Sequence, residues 1–175
     1  MVKFDKFEVV KCEPYRFIGK SVYMGNKRGT SNLFDCIWKQ SDWVFRELDN
    51  MKEYASGEVH NAALLTWEKW DEKNELFGYY VGRFMRADTP VLKDIDMDYF
   101  DIPETYIAKA WRRGKLGDKY GTMLVYGEES AKEEIERTGI YREKGWVWMA
   151  EIYPKPDDQG ESNVGVYIPC DLKNP

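Results

Sequence analysis

The chain is poor in the residues that build metal centres and disulfide frameworks. It has three cysteines, Cys12, Cys36 and Cys170, and one histidine, His60, in 175 residues. No two cysteines form a CxxC pair, so zinc and iron–sulfur sites lack their usual ligands, and an odd number spread over the chain implies no disulfide framework. No metal and no cofactor are therefore expected, and the cysteine usage suits a reducing cytoplasm. No apolar run approaches the ~20 residues of a bilayer span. The opening MVKFDKFEVVKC alternates charged and apolar residues, unlike the basic stretch and apolar core of a secretory signal. With a formal net charge of -5 and no dense Lys/Arg cluster, direct DNA binding is not expected. The chain also lacks a GxSxG nucleophile elbow, a phosphate-binding loop and an HExxH pair.

Aromatic residues, by contrast, are abundant. Seven Trp, twelve Tyr and eight Phe make 15% of the chain, more rings than the core of one domain of this size requires.

Hydrophobic spacing predicts a helix over 31–54, where Phe34, Ile37, Trp38, Phe45, Leu48 and Met51 recur at three- and four-residue intervals, with Thr30 or Ser31 as its cap. Strand patterns cover 15–23, 62–70 and 76–84, with a polar turn between the last two, and an initial strand over 7–12 is expected to join this first half. The segment 86–101, with Pro90 and five aspartates, reads as a connector. Beyond it the pattern repeats. Setting Pro14 against Pro103 aligns PYRFIGKSV with PETYIAKAW, and further on LLTWEKW matches VWMAEIY and FGYYVG matches VGVYIP. A second helix is expected from Asp118 towards Gly139, with Tyr120, Leu124, Ala131 and Ile135 on one side, although Gly127 weakens it by ~1 kcal/mol relative to Ala. The expected fold is α+β: one domain over 1–175 made of an internally duplicated strand-helix-strand-strand module with antiparallel sheet. The first repeat covers about 7–85, the connector about 86–102 and the second repeat about 103–172. A ligand cleft is expected between the two halves.

The stretch WVWMAEIYP carries one charge, Glu151, in an otherwise apolar strand. A period of two places Val147, Met149, Glu151 and Tyr153 on one face, and Trp146, Trp148, Ala150 and Ile152 on the other. A carboxylate buried without a partner costs several kcal/mol or takes up a proton. Two arrangements satisfy it: a rim residue paired with a Lys or Arg, the commoner case, or the base of a semi-enclosed aromatic pocket that attracts a flat, lipophilic cation. Glu68, its counterpart in the first repeat, reads as a solvated rim residue, and His60 as a surface or turn residue. Tyr167, Trp38 and Trp43 are candidates for either core or groove, and Trp111 replaces the Val22 of the first repeat.

The duplicated layout, the junction YFDIPETYIAKAW, the strand WMAEIY and the closing VYIPC resemble the effector-binding domain of AraC-type and MerR-type drug-responsive regulators. Stand-alone relatives of that domain include gyrase-inhibitor-like proteins and integron-cassette drug-binding proteins. The resemblance spans essentially the whole chain. It implies a small-molecule-binding fold of two modules whose cleft holds a glutamate, here Glu151, that meets lipophilic cations. Met149, Tyr153, Tyr167, Trp111, Trp38 and Trp43 are carried over as candidate lining residues. The helix-turn-helix domain of the regulators has no counterpart in the pattern, so a sensor without its DNA reader is expected.

Three functions follow from that resemblance. The leading one is a cytoplasmic module that senses or sequesters lipophilic, cationic aromatic compounds, with no membrane partner. The second is a hydrolase of reactive cyclopropane-bearing aromatic compounds, for which Glu151 and Tyr167 would be the catalytic pair. The third is a modulator of gyrase or of a transcription partner.

Overall fold

The computed structural model describes residues 3–25, 31–71, 76–91, 94–115, 120–145 and 147–174. In chain order the elements are β1 (Lys3–Cys12), β2 (Tyr15–Gly25), α1 (Ser31–Lys39), α2 (Ser41–Asp49), β3 (Asn61–Asp71) and β4 (Leu76–Arg86). They continue with β5 (Asp98–Ile102), β6 (Thr105–Lys115), α3 (Tyr120–Thr138), β7 (Tyr141–Glu143), β8 (Trp148–Tyr153) and β9 (Glu161–Leu172). The fold is α+β and mostly β, with antiparallel strand pairing. Among the described residues no helix is long and apolar enough to cross a membrane.

The chain forms two compact units, Glu13–Pro103 and Met1–Cys12 with Glu104–Pro175. In the first, β4 pairs with both β3 and β2, and β2 also pairs with β5. In the second, β6 pairs with both β1 and β9, while β8 and β7 both pair with β9. This assignment corrects two expectations. The initial strand does not join the first half: β1 runs against β6, from Lys3 opposite Arg113 to Cys12 opposite Thr105. The connector is not wholly irregular either, because Asp98–Ile102 forms β5 and pairs with β2. Each unit thus takes up the strand that precedes the other unit's leading strand. Sequence adjacency suggests the opposite, but unpaired edge amides and carbonyls are satisfied by whichever strand reaches them.

Helix packing explains the apolar spacing. In the first unit Val44 and Leu48 of α2 pack on Ile18, Met51 and Met85, with Trp43, Phe45, Tyr54 and Met97 around them. The single helix expected over 31–54 is broken at Gln40, whose amide bonds back to the Ile37 carbonyl at 3.1 Å in a tight turn before α2 begins, and Lys52–Tyr54 form a 3-10 turn. The apolar spacing survives that break, so periodicity alone did not reveal it. The opposite face of the first sheet is aromatic. Phe17 meets Phe84 edge to face at 5.1 Å and Tyr80 at 6.3 Å, and Tyr80 lies 6.4 Å from Phe100. Part of the aromatic excess is therefore core, with each such pair adding roughly 0.5–1.5 kcal/mol beyond area burial.

In the second unit α3 runs unbroken through Gly127, and its Ala131 and Ile135 pack on Ala108, Ala110, Val166, Ile168 and Cys170. The cap at Thr30 or Ser31, the polar turn after Asp71, Trp146 and the side chains of Glu68, Tyr120 and Leu124 lie outside the described residues.

Candidate functional site

Register decides which faces coincide, because residues opposite one another in an antiparallel pair point to the same side. Glu151 of β8 stands opposite Val166 of β9, and Val166 belongs to the cluster under α3. Met149 packs against that same cluster. Met149, Glu151 and Tyr153 therefore share the helix side of the second sheet, with Trp148, Ala150 and Ile152 buried on the reverse.

Glu151 is partly buried, and its Oε2 accepts a hydrogen bond from the Tyr153 hydroxyl at 2.6 Å. Among the described residues no Lys or Arg forms an ion pair with it. Burial pushes its carboxyl up to about 7; the Tyr153 hydrogen bond pulls the other way, and the negative charge of Glu128 on α3 adds to the rise. A carboxyl held there is partly protonated at neutral pH and gains its full charge as the pH rises. The Tyr153 contact was not expected from the sequence, although spacing of two along a strand is the signal that places the hydroxyl beside the carboxylate.

The other candidates lie elsewhere. Tyr167 stands opposite Ala150 and Lys109, hence on the reverse of the sheet from Glu151. It is 1% exposed, meets Trp111 edge to face at 5.7 Å, and has the Lys109 ammonium 4.8 Å above its ring. The Glu151–Tyr167 pair on which a hydrolytic reading depends is thus not brought together: the two side chains leave opposite faces of neighbouring strands. Trp111 stands opposite Gly165, and a Cβ on that glycine would come within 2.8 Å of the indole. The bulk at Trp111 is accommodated by the missing side chain across the pair, so Gly165→Ala should displace the indole and change tryptophan emission; an unchanged spectrum with unchanged stability would contradict this packing.

Trp38 and Trp43 belong to the first unit. The Trp38 indole N–H donates to the Tyr79 hydroxyl at 3.0 Å, and Trp43 packs on the α2 cluster. His60 is exposed just before β3. Among the described residues no three His, Cys, Asp or Glu side chains are gathered as metal ligands.

No protein-family model matches the chain, and no curated protein matches it. Solved structures do match. SAV2435 bound to tetraphenylphosphonium aligns with a TM-score of 0.61 at 9% identity, over 95% of this chain and 94% of that one. An integron cassette protein from Vibrio cholerae aligns with a TM-score of 0.58 at 10% identity, over 97% and 99% of the two chains. This chain shares their fold. The EcmrR chain of an EcmrR–DNA complex aligns at 0.57 and 12% identity, over 95% of this chain and 57% of that longer chain. These neighbours include an integron cassette protein, one of the kinds of stand-alone relative named by the resemblance. At such identities the likeness concerns architecture and not the identity of any ligand.

Proposed function

We propose that the protein binds lipophilic organic cations of aromatic character, sensing or sequestering them, with Glu151 as the residue that meets the positive charge. The observation that carries this reading is a partly buried carboxylate on an apolar strand, held by a tyrosine hydroxyl and, among the described residues, by no basic side chain. A carboxylate in that setting is costly unless something compensates it. Tyr153 offers a ring and an orienting hydroxyl, and Met149 a polarizable wall on the same face. Tyr167 and Trp111, on the reverse face, are assigned to packing, and Trp38 and Trp43 serve as reporters. A fold neighbour crystallised with tetraphenylphosphonium supports the choice of ligand class, and the match to a segment of EcmrR supports a role of the kind regulators assign to a sensor.

The test compares tetraphenylphosphonium with neutral triphenylphosphine oxide by quenching of tryptophan fluorescence. Glu151→Gln is expected to weaken the cation at least tenfold at pH 8 and the neutral compound less than twofold. Equal losses for both would overturn the electrostatic role, and no binding of either by the parent protein would overturn the ligand class.

A further inference from the structure

The first unit contains a cavity of about 470 Å³ that the Glu151 reading does not use. Its lining includes Ser21, Tyr23, Tyr80, Asp98, Tyr99 and Phe100, all within Glu13–Pro103. The register of β2 explains how they meet. Ser21 stands opposite Tyr80 of β4, Gly19 opposite Asp98 of β5, and Phe17 opposite Phe100, so Ser21, Tyr80, Asp98 and Phe100 share one face. Tyr80 and Phe100 are buried and form its aromatic floor, while Tyr23 and Tyr99 are each nearly half exposed.

The charges at this cavity are unequal in their compensation. Asp101, also in the lining, is clamped by the Arg16 guanidinium through two bonds, at 2.6 and 2.9 Å. Asp98, which is exposed, accepts the Ser21 hydroxyl at 2.6 Å and, among the described residues, forms no ion pair. With Arg16 assigned to Asp101, the lining carries a net negative charge beside tyrosine and phenylalanine rings. Tyr99 points to the reverse face of β5 from Asp98, where the Arg16 guanidinium carbon lies 4.8 Å above its ring. Volume, aromatic floor and a carboxylate with a hydroxyl beside it together match the requirements for an organic ammonium head.

We propose that this cavity is a second binding site, built entirely from the first unit, for a small organic ammonium ion carrying a hydroxyl or similar polar tail. Asp98 supplies the opposing charge, Tyr23 flanks the methylated nitrogen above the Tyr80 and Phe100 rings, and Ser21 receives the polar tail. The site is independent of Glu151, which lies in the second unit.

The test titrates the full chain with choline and with its uncharged carbon isostere, 3,3-dimethylbutan-1-ol, following backbone and tyrosine resonances by NMR. Choline is expected to shift resonances of Tyr23 and Phe100 and to bind at least tenfold more tightly than the isostere. Asp98→Asn, which keeps an acceptor for Ser21, is expected to weaken choline about tenfold and leave the isostere within twofold. Tyr23→Leu, at an exposed position, is expected to weaken choline about fivefold, whereas Tyr23→Phe retains it. Glu151→Gln should leave choline affinity within twofold, and Asp98→Asn should leave tetraphenylphosphonium affinity within twofold. Equal affinities for choline and the isostere, no response to Asp98→Asn, or choline binding lost on Glu151→Gln alone would each overturn the proposal; the last would also assign the ammonium to the other site.

Discussion

Glu151→Gln is expected to stabilise the protein by about 3 kcal/mol at pH 8 and by almost nothing at pH 4. The carboxyl titrates at about 7 in the folded chain against an ordinary value of 4.5. Between those two values the folded state holds a proton that the unfolded state has released, so stability falls as the pH rises from about 4.5 to about 7 and is level above. Each unit of separation is worth about 1.4 kcal/mol, which sets the size of the effect. Glutamine resembles the protonated carboxyl, keeps an oxygen to accept the Tyr153 hydroxyl, and removes repulsion from Glu128. Urea unfolding at pH 4, 6 and 8 measures the difference, and two variants whose stabilities run parallel across that range would contradict it. The same titration governs binding. Only the ionised carboxylate attracts a cation, so affinity for tetraphenylphosphonium should rise at least tenfold between pH 5.5 and 8 in the parent protein and stay flat in Glu151→Gln. On the proposed function, a carboxylate that costs the fold stability would be relieved by a cationic ligand.

The second large effect concerns Gly82. Gly82 of β4 stands opposite Gly19 of β2, and a Cβ on Gly82 would lie 1.9 Å from the Ile18 carbonyl oxygen, with one on Gly19 only 2.1 Å from that of Val81. The obstructing atoms are backbone, so no side-chain rotation relieves the overlap. Gly82→Ala must push β2 and β4 apart, beside the fully buried Phe17, Val81 and Phe84. We expect a loss of roughly 3–5 kcal/mol, comparable to the largest core truncations. Gly57, where an added Cβ meets nothing within 4 Å, provides the control: Gly57→Ala should be nearly neutral. Thermal unfolding followed by circular dichroism separates them, and similar melting temperatures for the two variants would show that the strands do not approach so closely.

Several elements were legible in the sequence because their signals are local. Strand patterns gave β2, β3 and β4 to within a few residues, the repeat placed VGVYIP within β9, and the stripe ending in Ala131 and Ile135 gave the buried side of α3. Glu151 stood out because one charge in an apolar strand has few ways to be satisfied, and period two correctly grouped it with Met149 and Tyr153. The break at Gln40 escaped notice because Ile37, Val44 and Leu48 keep helical spacing across it.

What the sequence could not supply was the matching of one strand to another. Period two assigns the faces within a strand, but a shift of one residue in register exchanges them for every side chain of its neighbour. Tyr167 was therefore grouped with Glu151 until the pairing of Ala150 with Tyr167 put it on the reverse side. Likewise, β1 and β5 were recognisable as extended or connecting segments, yet which sheet edge each one completes depends on contacts far apart in the chain. The sequence by itself determined the α+β class, the helix and strand content and the one carboxylate on an apolar strand, since these follow from the order and spacing of neighbouring residues. Only the tertiary structure decided the exchange of edge strands, the separation of Glu151 from the Tyr167–Trp111 pair and the aromatic cavity beside Asp98, because each depends on pairing and packing between segments that local pattern does not encode.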